Sequence, residues 1–151
     1  MAVTVIIVVF ILFLSFFNNS YYLVIKGKDH KILRKIPVNV KQDFSILFIH
    51  SSELEPWENI FYVNNDGRLV LKEIRVSSTG PGVPSVLEQG WKASIRDGCI
   101  IYHNVNKEYE SIDFVVSPIS PHYLKINGQR YNLVEIAGEW AQIKIYPARR
   151  D

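Results

Sequence analysis

Phe48 to Val63 reads FIHSSELEPWENIFYV, one His, two Ser and three Glu set between two runs of strand-forming residues. Three chemistries use those residue types. His50 with Glu53, Glu55, Glu58 or Glu73 offers imidazole and carboxylate to a cation, but neither an HxH nor an HExxH spacing accompanies it. Ser51 or Ser52 with His50 offers a nucleophile and a base. Adjacent residues on a strand point to opposite faces, however, and no GxSxG elbow is present. Paired carboxylates do acid–base work only in a pocket that moves their pKa values apart. The plainer reading is a polar turn. Glu58 then pairs across strands with Arg75, His50 caps a strand end, Pro56 redirects the chain and Trp57 closes the end of the core.

A second segment, Thr79 to Ser85 (TGPGVPS), raises a similar choice. Close glycines can expose N–H groups to an anion, but no helix start and no Walker lysine follow Gly80 and Gly82. A rigid turn-rich loop ending at Pro84 is the simpler expectation. His30, His103 and His122 read as surface or loop histidines, and Cys99 as a small buried hydrophobe. No catalytic residue, metal ligand or cofactor is assigned.

The elements that must position these residues are strands. YYLVIKG, HKILRKIPV, DFSILFI, NIFYV, RLVLKEIRV, GCIIYHNV, SIDFVVS, YLKI, RYNLVEI and WAQIKIYP are rich in Ile, Val, Phe and Tyr and bounded by Gly, Pro, Asn and Asp. Asn127-Gly128 predicts a tight hairpin with Lys125 opposite Arg130. A two-residue turn at Asp66-Gly67 would set Glu58 opposite Arg75 and Ile60 opposite Glu73. His50, Glu58 and Glu73 would then converge near one end of a sheet, with Leu71 on the face of Glu73. Residues 77 to 98 predict one long connection. The expected fold is all-β, an antiparallel sandwich or partly open barrel of about 8–10 strands with no helix outside the N-terminal segment.

At 151 residues the chain holds one domain and a short appendage. Its net charge of +2 and the lack of a long basic run give no reason to expect nucleic acid as a partner. A single cysteine permits no intrachain disulfide. The first seventeen residues, MAVTVIIVVFILFLSFF, carry no charge, Gly or Pro. As a helix they span about 25 Å, and continuing to Tyr22 fills a bilayer core. Residues 1–22 therefore predict an uncleaved single-pass anchor in the cell membrane, and 23–151 one β domain. The expected side for that domain is extracytoplasmic. Lys26, Lys28, Lys31, Arg34 and Lys35 behind the anchor argue the other way.

The order of these features resembles the domain-of-unknown-function family eighteen-fifty. His50, Ser51, Glu55, Pro56, Glu58, Gly80, Gly82 and Pro84 carry the likeness, over roughly residues 31 to 100. Pro81 stands where a small residue is expected. The resemblance implies an accessory protein of TAXI-type TRAP transporters, carriers that take up organic acids with a substrate-binding protein, and brings no catalytic role. The expected function is a non-enzymatic, membrane-anchored domain at such a carrier. The candidate contact residues are His50, Ser51, Glu55, Trp57, Glu58, Glu73, Arg75, Gly80, Gly82 and Pro84, with the TRAP membrane subunit as partner. The alternative is a small-molecule or metal-binding domain, enzymatic or not, built on the His/Glu cluster.

Overall fold

The computed structural model describes residues 21–50, 54–77, 82–84 and 86–150. Residues 1–20 of the expected anchor, Ser51 and Gly80 lie outside the described residues. Among those described, no helix is long and apolar enough to cross a membrane.

Among the described residues, eleven strands form two antiparallel sheets. The smaller contains β1 (Tyr21–Gly27), β2 (Ile32–Val38), β8 (Ile112–Val115) and β11 (Gln142–Arg149), in the order β2-β1-β11-β8. The larger contains β3 (Phe44–Ile49), β4 (Pro56–Val63), β5 (Leu69–Val76), β6 (Lys92–Arg96), β7 (Cys99–Tyr109), β9 (His122–Ile126) and β10 (Gln129–Asn132), in the order β10-β9-β3-β4-β5-β7-β6. Alternate side chains of both sheets, including Leu23, Ile25, Val63, Leu69, Leu124 and Ile145, are withdrawn from water into one core. Tyr21 and Tyr22, assigned from sequence to the tail of the anchor, begin β1, and Tyr21 is part of that core.

Turn chemistry sets the registers. Asn127 (φ 55°) and Gly128 (φ 71°) both take the left-handed conformations of a two-residue hairpin, and Lys125 faces Arg130 as expected. Their repulsion is relieved sideways: the Lys125 ammonium reaches Glu58, and the Arg130 guanidinium lies 3.6 Å from the centre of the Tyr123 ring. The β4–β5 turn differs from expectation. Its loop is three residues long, Asn65-Asp66-Gly67. It is closed by Gly67 N–H to Asn64 O (3.1 Å) and Asn64 N–H to Arg68 O (2.9 Å). Gly67 has φ 75°, and a Cβ there would stand 2.9 Å from the Tyr21 ring, so only glycine fits.

The extra loop residue shifts the pairing by one, and a bulge at Lys72 shifts it back. Glu58 therefore does face Arg75, and Ile60 does face Glu73, through two offsets that cancel. The bulge also separates Leu71 from Glu73. Leu71 joins the core, while Glu73 and Arg75 lie on the outer face.

Two further expectations are corrected. Part of residues 77–98 forms β6, an edge strand exposed along its whole length and turned back by Asp97-Gly98. RYNLVEI is not one strand, because after β10 a short helix, α1 (Leu133–Ala137), follows. Asn132 caps it by accepting from Val134 N–H at 3.1 Å, and Gly138 (φ 91°) ends it.

Candidate functional site

Among the described residues, three arrangements involve the candidate side chains. The first is a rim at the end of the sandwich away from Tyr21. His122, Phe48 and Trp57 occupy directly opposed positions on β9, β3 and β4, so their rings stack across the sheet. Centroid separations are 5.4 Å for Phe48–His122 and 5.8 Å for Phe48–Trp57. Phe114 of β8 closes one end of the ladder at 4.8 Å from His122, and His50 continues the other at 5.9 Å from Trp57. Trp57 is fixed further by its indole N–H donating to Asn59 Oδ1 at 2.8 Å.

The turn after β3 is closed by His50 N–H to Glu55 O and Leu54 N–H to His50 O, both 2.8 Å. The glycine loop comes to the same rim. A Cβ on Gly82 would lie 4.0 Å from Trp57 Cζ3, Val83 packs on the core, and the Pro84 carbonyl accepts from Tyr102 Oη at 3.0 Å. His50, Trp57, Gly82 and Pro84 thus share one neighbourhood, with the exposed Glu55 side chain at its border.

The second arrangement is a chain of charges across the outer face of the larger sheet. Glu58 accepts from Lys125 Nζ (2.8 Å) and Ser45 Oγ (2.6 Å) and faces Arg75 Nη1 at 3.8 Å. Arg75 Nε donates to Glu73 Oε1 at 2.6 Å. The other oxygen of Glu73 meets His103 Nδ1 at 2.9 Å, and His103 Nε2 lies 2.8 Å from Ser94 Oγ. Glu58 and Glu73 therefore lie on the face opposite to Trp57 and its His50 neighbour. The expected convergence of His50 with the two carboxylates is replaced by one of His103 with Glu73. Among the described residues no three His, Cys, Asp or Glu side chains group as a metal site.

Ser94, His103 and Glu73 have the contacts of a nucleophile, a base and an orienting carboxylate. Acyl transfer needs in addition a cavity beside the hydroxyl and donors aimed at the oxyanion. Here Ser94 sits on the open edge strand, with every residue of β6 exposed. The chain is read as cross-strand ordering of polar side chains, each exposed pair contributing at most about 1 kcal/mol.

The third arrangement is a groove of about 390 Å³ on the same face, lined by Ser45, Glu58, Arg75, Lys125 and Arg130 among others. Its cations are already engaged by Glu58, Glu73 and the Tyr123 ring.

Sequence spacing does not announce His103 or His122, because strand pairing joins them to Glu73 and Phe48 across long separations; Ser94 lies only nine residues from His103 in the β6–β7 hairpin, where the Asp97-Gly98 turn is the signal that could have found it. His103, read as isolated, is part of the polar chain, and His122, read as a surface residue, is part of the ring ladder. Cys99 is half-buried with its Sγ 3.7 Å from Ser77 Oγ.

The two families of contacts give the domain a pH dependence. Burial pushes the Glu58 carboxyl up. The hydrogen bonds from Lys125 and Ser45 and the charges of Lys125 and Arg75 outweigh that effect and hold its pKa below the ordinary carboxylate value. Burial pushes the His122 imidazole below its ordinary value, a backbone contact with Ser120 returning part of the shift. In both cases the unfolded chain takes up the proton at higher pH than the folded one. The stability His122 contributes is complete above about pH 6.5, and that of Glu58 above about pH 4.3; each is lost as the pH falls through the lower folded pKa. Melting temperatures between neutral and acid pH should fall in two stages, with His122→Phe removing the upper stage and Glu58→Gln the lower. Parallel curves for wild type and both variants would contradict this assignment.

No curated protein and no solved structure matches the chain. The family described as domain of unknown function (DUF1850) matches residues 44–133, more than half of the 151. That stretch runs from the start of β3 to the first residue of α1 and carries the rim, the polar chain and the groove. The chain belongs to the DUF1850 family.

Proposed function

We propose that this chain is a non-enzymatic accessory domain, held at the cell membrane by the apolar segment before Tyr21 and serving a TAXI-type TRAP carrier of organic acids. The observation that carries the reading is the meeting of the His50–Trp57 turn and the Gly82–Pro84 loop at one rim. A partly exposed tryptophan flanked by two turns, one with a large apolar side chain at its tip, suits protein contact better than turnover of a small substrate. The resemblance behind the carrier is borne by residues of these same two segments. A small-molecule role for the candidate residues would fall to the groove, and there protein groups already engage the cations.

The proposal puts the β domain outside the cytoplasm. The basic flank behind the anchor weighs little in this choice, since Lys26, Lys28 and Lys31 lie at or beyond the far end of β1 from the anchor, on a folded surface. Tagged full-length protein purified from its own membranes should retain the carrier's membrane subunit, and deleting the chain should lower organic-acid uptake severalfold. Uptake and carrier assembly unchanged by the deletion would overturn the proposal.

A further inference from the structure

The smaller sheet carries a charge pattern that the larger sheet avoids. On the larger sheet Arg68, Lys72, Arg75, Lys107 and Lys125 each meet a carboxylate. On the smaller, Lys26 of β1 lies directly opposite Lys144 of β11, and Lys144 directly opposite Asp113 of β8. Directly paired residues share a face. Ile25, Ile143 and Ile145, which alternate with the lysines, are in the core, so Lys26, Lys144 and Asp113 stand on the outer face.

Asp113 reaches Lys144 Nζ at 3.4 Å, and its other oxygen accepts from Ser111 Oγ at 2.6 Å. Lys26, half-buried, and Lys28 meet no carboxylate among the described residues. Like charges set opposite one another destabilise a sheet, and the β1 member of this pair is left without a protein group to neutralise it.

The turn from β1 to β2 adds to the same place. Gly27 N–H donates to Lys31 O at 2.9 Å, and His30 N–H to Gly27 O at 3.1 Å. The β4–β5 turn has the same two bonds, from Asn64 to Arg68 and from Gly67 back to Asn64. Gly67 fills the left-handed position there with φ 75°. His30 fills it here with φ 60°, at a backbone cost that glycine would not incur. The imidazole lines a cleft of about 250 Å³ together with Lys26, Lys28, Gln142, Lys144 and Asp113.

Three ammonium groups against one carboxylate leave two positive charges at this cleft, and Asp29 of the same turn does not line it. Its volume lies below the roughly 300–1,000 Å³ of sites for drug-sized ligands, so the occupant is small. We infer that the cleft binds a small free dianion, a phosphate monoester or a dicarboxylate, between the Lys26 and Lys144 ammonium groups, with Lys28 and His30 as further donors. Asp113 holds Lys144 from the β8 side and, as a carboxylate, keeps the anion toward β1 and the turn. Part of the affinity comes from relief of the repulsion between the opposed lysines. The cleft shares no residue with the rim, and its lysines and His30 lie outside residues 44–133, so the inference is independent of the carrier role.

The test titrates the full chain in detergent with inorganic phosphate, succinate or acetate, chloride being adjusted to hold the ionic strength constant, and follows the melting temperature. The inference expects a saturable rise with at least one of the two dianions and none with acetate. Phosphate also stabilises proteins by exclusion from their surface, without saturating, so the midpoint concentration is the readout. Lys26→Gln should raise that midpoint at least tenfold, yet melt no lower than wild type without dianion, because the opposed charges are gone. His30→Gly, which suits the backbone of the turn, should keep the fold and raise the midpoint severalfold. Lys72→Gln, which breaks the ion pair with Asp43 on the larger sheet, should leave the midpoint unchanged. A rise with phosphate alone assigns the site to phosphate esters, and with succinate alone to dicarboxylates. No saturable rise with either, an equal one with acetate, or an unchanged midpoint in Lys26→Gln would overturn the inference. So would dispersed phosphatidic acid binding at least tenfold more tightly than phosphate, which would make the ligand a lipid headgroup.

Discussion

Leu23→Ala is expected to lower the stability of the β domain by about 3 kcal/mol and its melting temperature by roughly 10 °C. Leu23 is fully buried at the middle of β1, between Ile36 on β2 and Pro147 on β11. Removing its three outer carbons loses their transfer energy and leaves a cavity in an interior shared by both sheets, which strands pinned on each side cannot collapse to fill. Leu54→Ala, at an exposed turn, should stay within about 0.5 kcal/mol of wild type and serves as the comparison. Thermal unfolding of the full chain in detergent, followed by tryptophan fluorescence, measures both. A loss below about 1 kcal/mol for Leu23→Ala would mean that β1 is not a central strand of the core. The smaller sheet, and with it the position of the anchor relative to the rim, would then be wrong.

Much of this architecture is legible in local sequence, for identifiable reasons. β1, β3, β5, β7 and β11 are dense in Ile, Val, Leu, Phe and Tyr, and Asn127-Gly128 has the chemistry of a single turn type. What escaped depends on offsets or distant partners. The Lys72 bulge has no glycine and no change of composition to mark it, yet it decides that Leu71 faces the core while Glu73 faces solvent. β6 buries nothing, so KASIR carries no alternation to read. In RYNLVEI, Asn132 starts a helix because its side chain competes for the Val134 N–H, and the apolar residues after it suit a strand equally well.

The site divides along the same line. That Glu58 pairs with Arg75 follows from hairpin counting, although two compensating shifts were needed for the count to hold. That Phe48, His122 and Phe114 stack follows from the β3–β9 pairing, which joins segments more than seventy residues apart, and from the closure of the two sheets, which brings β8 beside the start of β9. A strand-ending histidine was visible at position 50. Its neighbour turned out to be a tryptophan ring on the inner face, because Trp57 precedes Glu58 and alternation sends the two to opposite sides.

Trp57 is where packing and recognition meet, and its substitution separates them. Trp57→Ala removes the ring between Phe48 and His50, strips Asn59 of its indole donor and leaves Gly82 without its neighbour. The ring is partly exposed, so the expected loss is near the lower end of the range for buried aromatics, about 3 kcal/mol. Trp57→Phe keeps a ring in the ladder and gives up the hydrogen bond to Asn59, at a cost of about 1 kcal/mol. If the rim is the contact surface, carrier retention should fall at least tenfold in Trp57→Ala even at temperatures where melting curves show it folded. A Trp57→Phe variant should fall between that and wild type, because it keeps a ring in the contact but offers less area and loses the Asn59 bond that holds the ring in place. Retention that tracks stability alone, returning to wild type whenever the variant is folded, would make Trp57 a packing residue and move the contact to the turns that flank it.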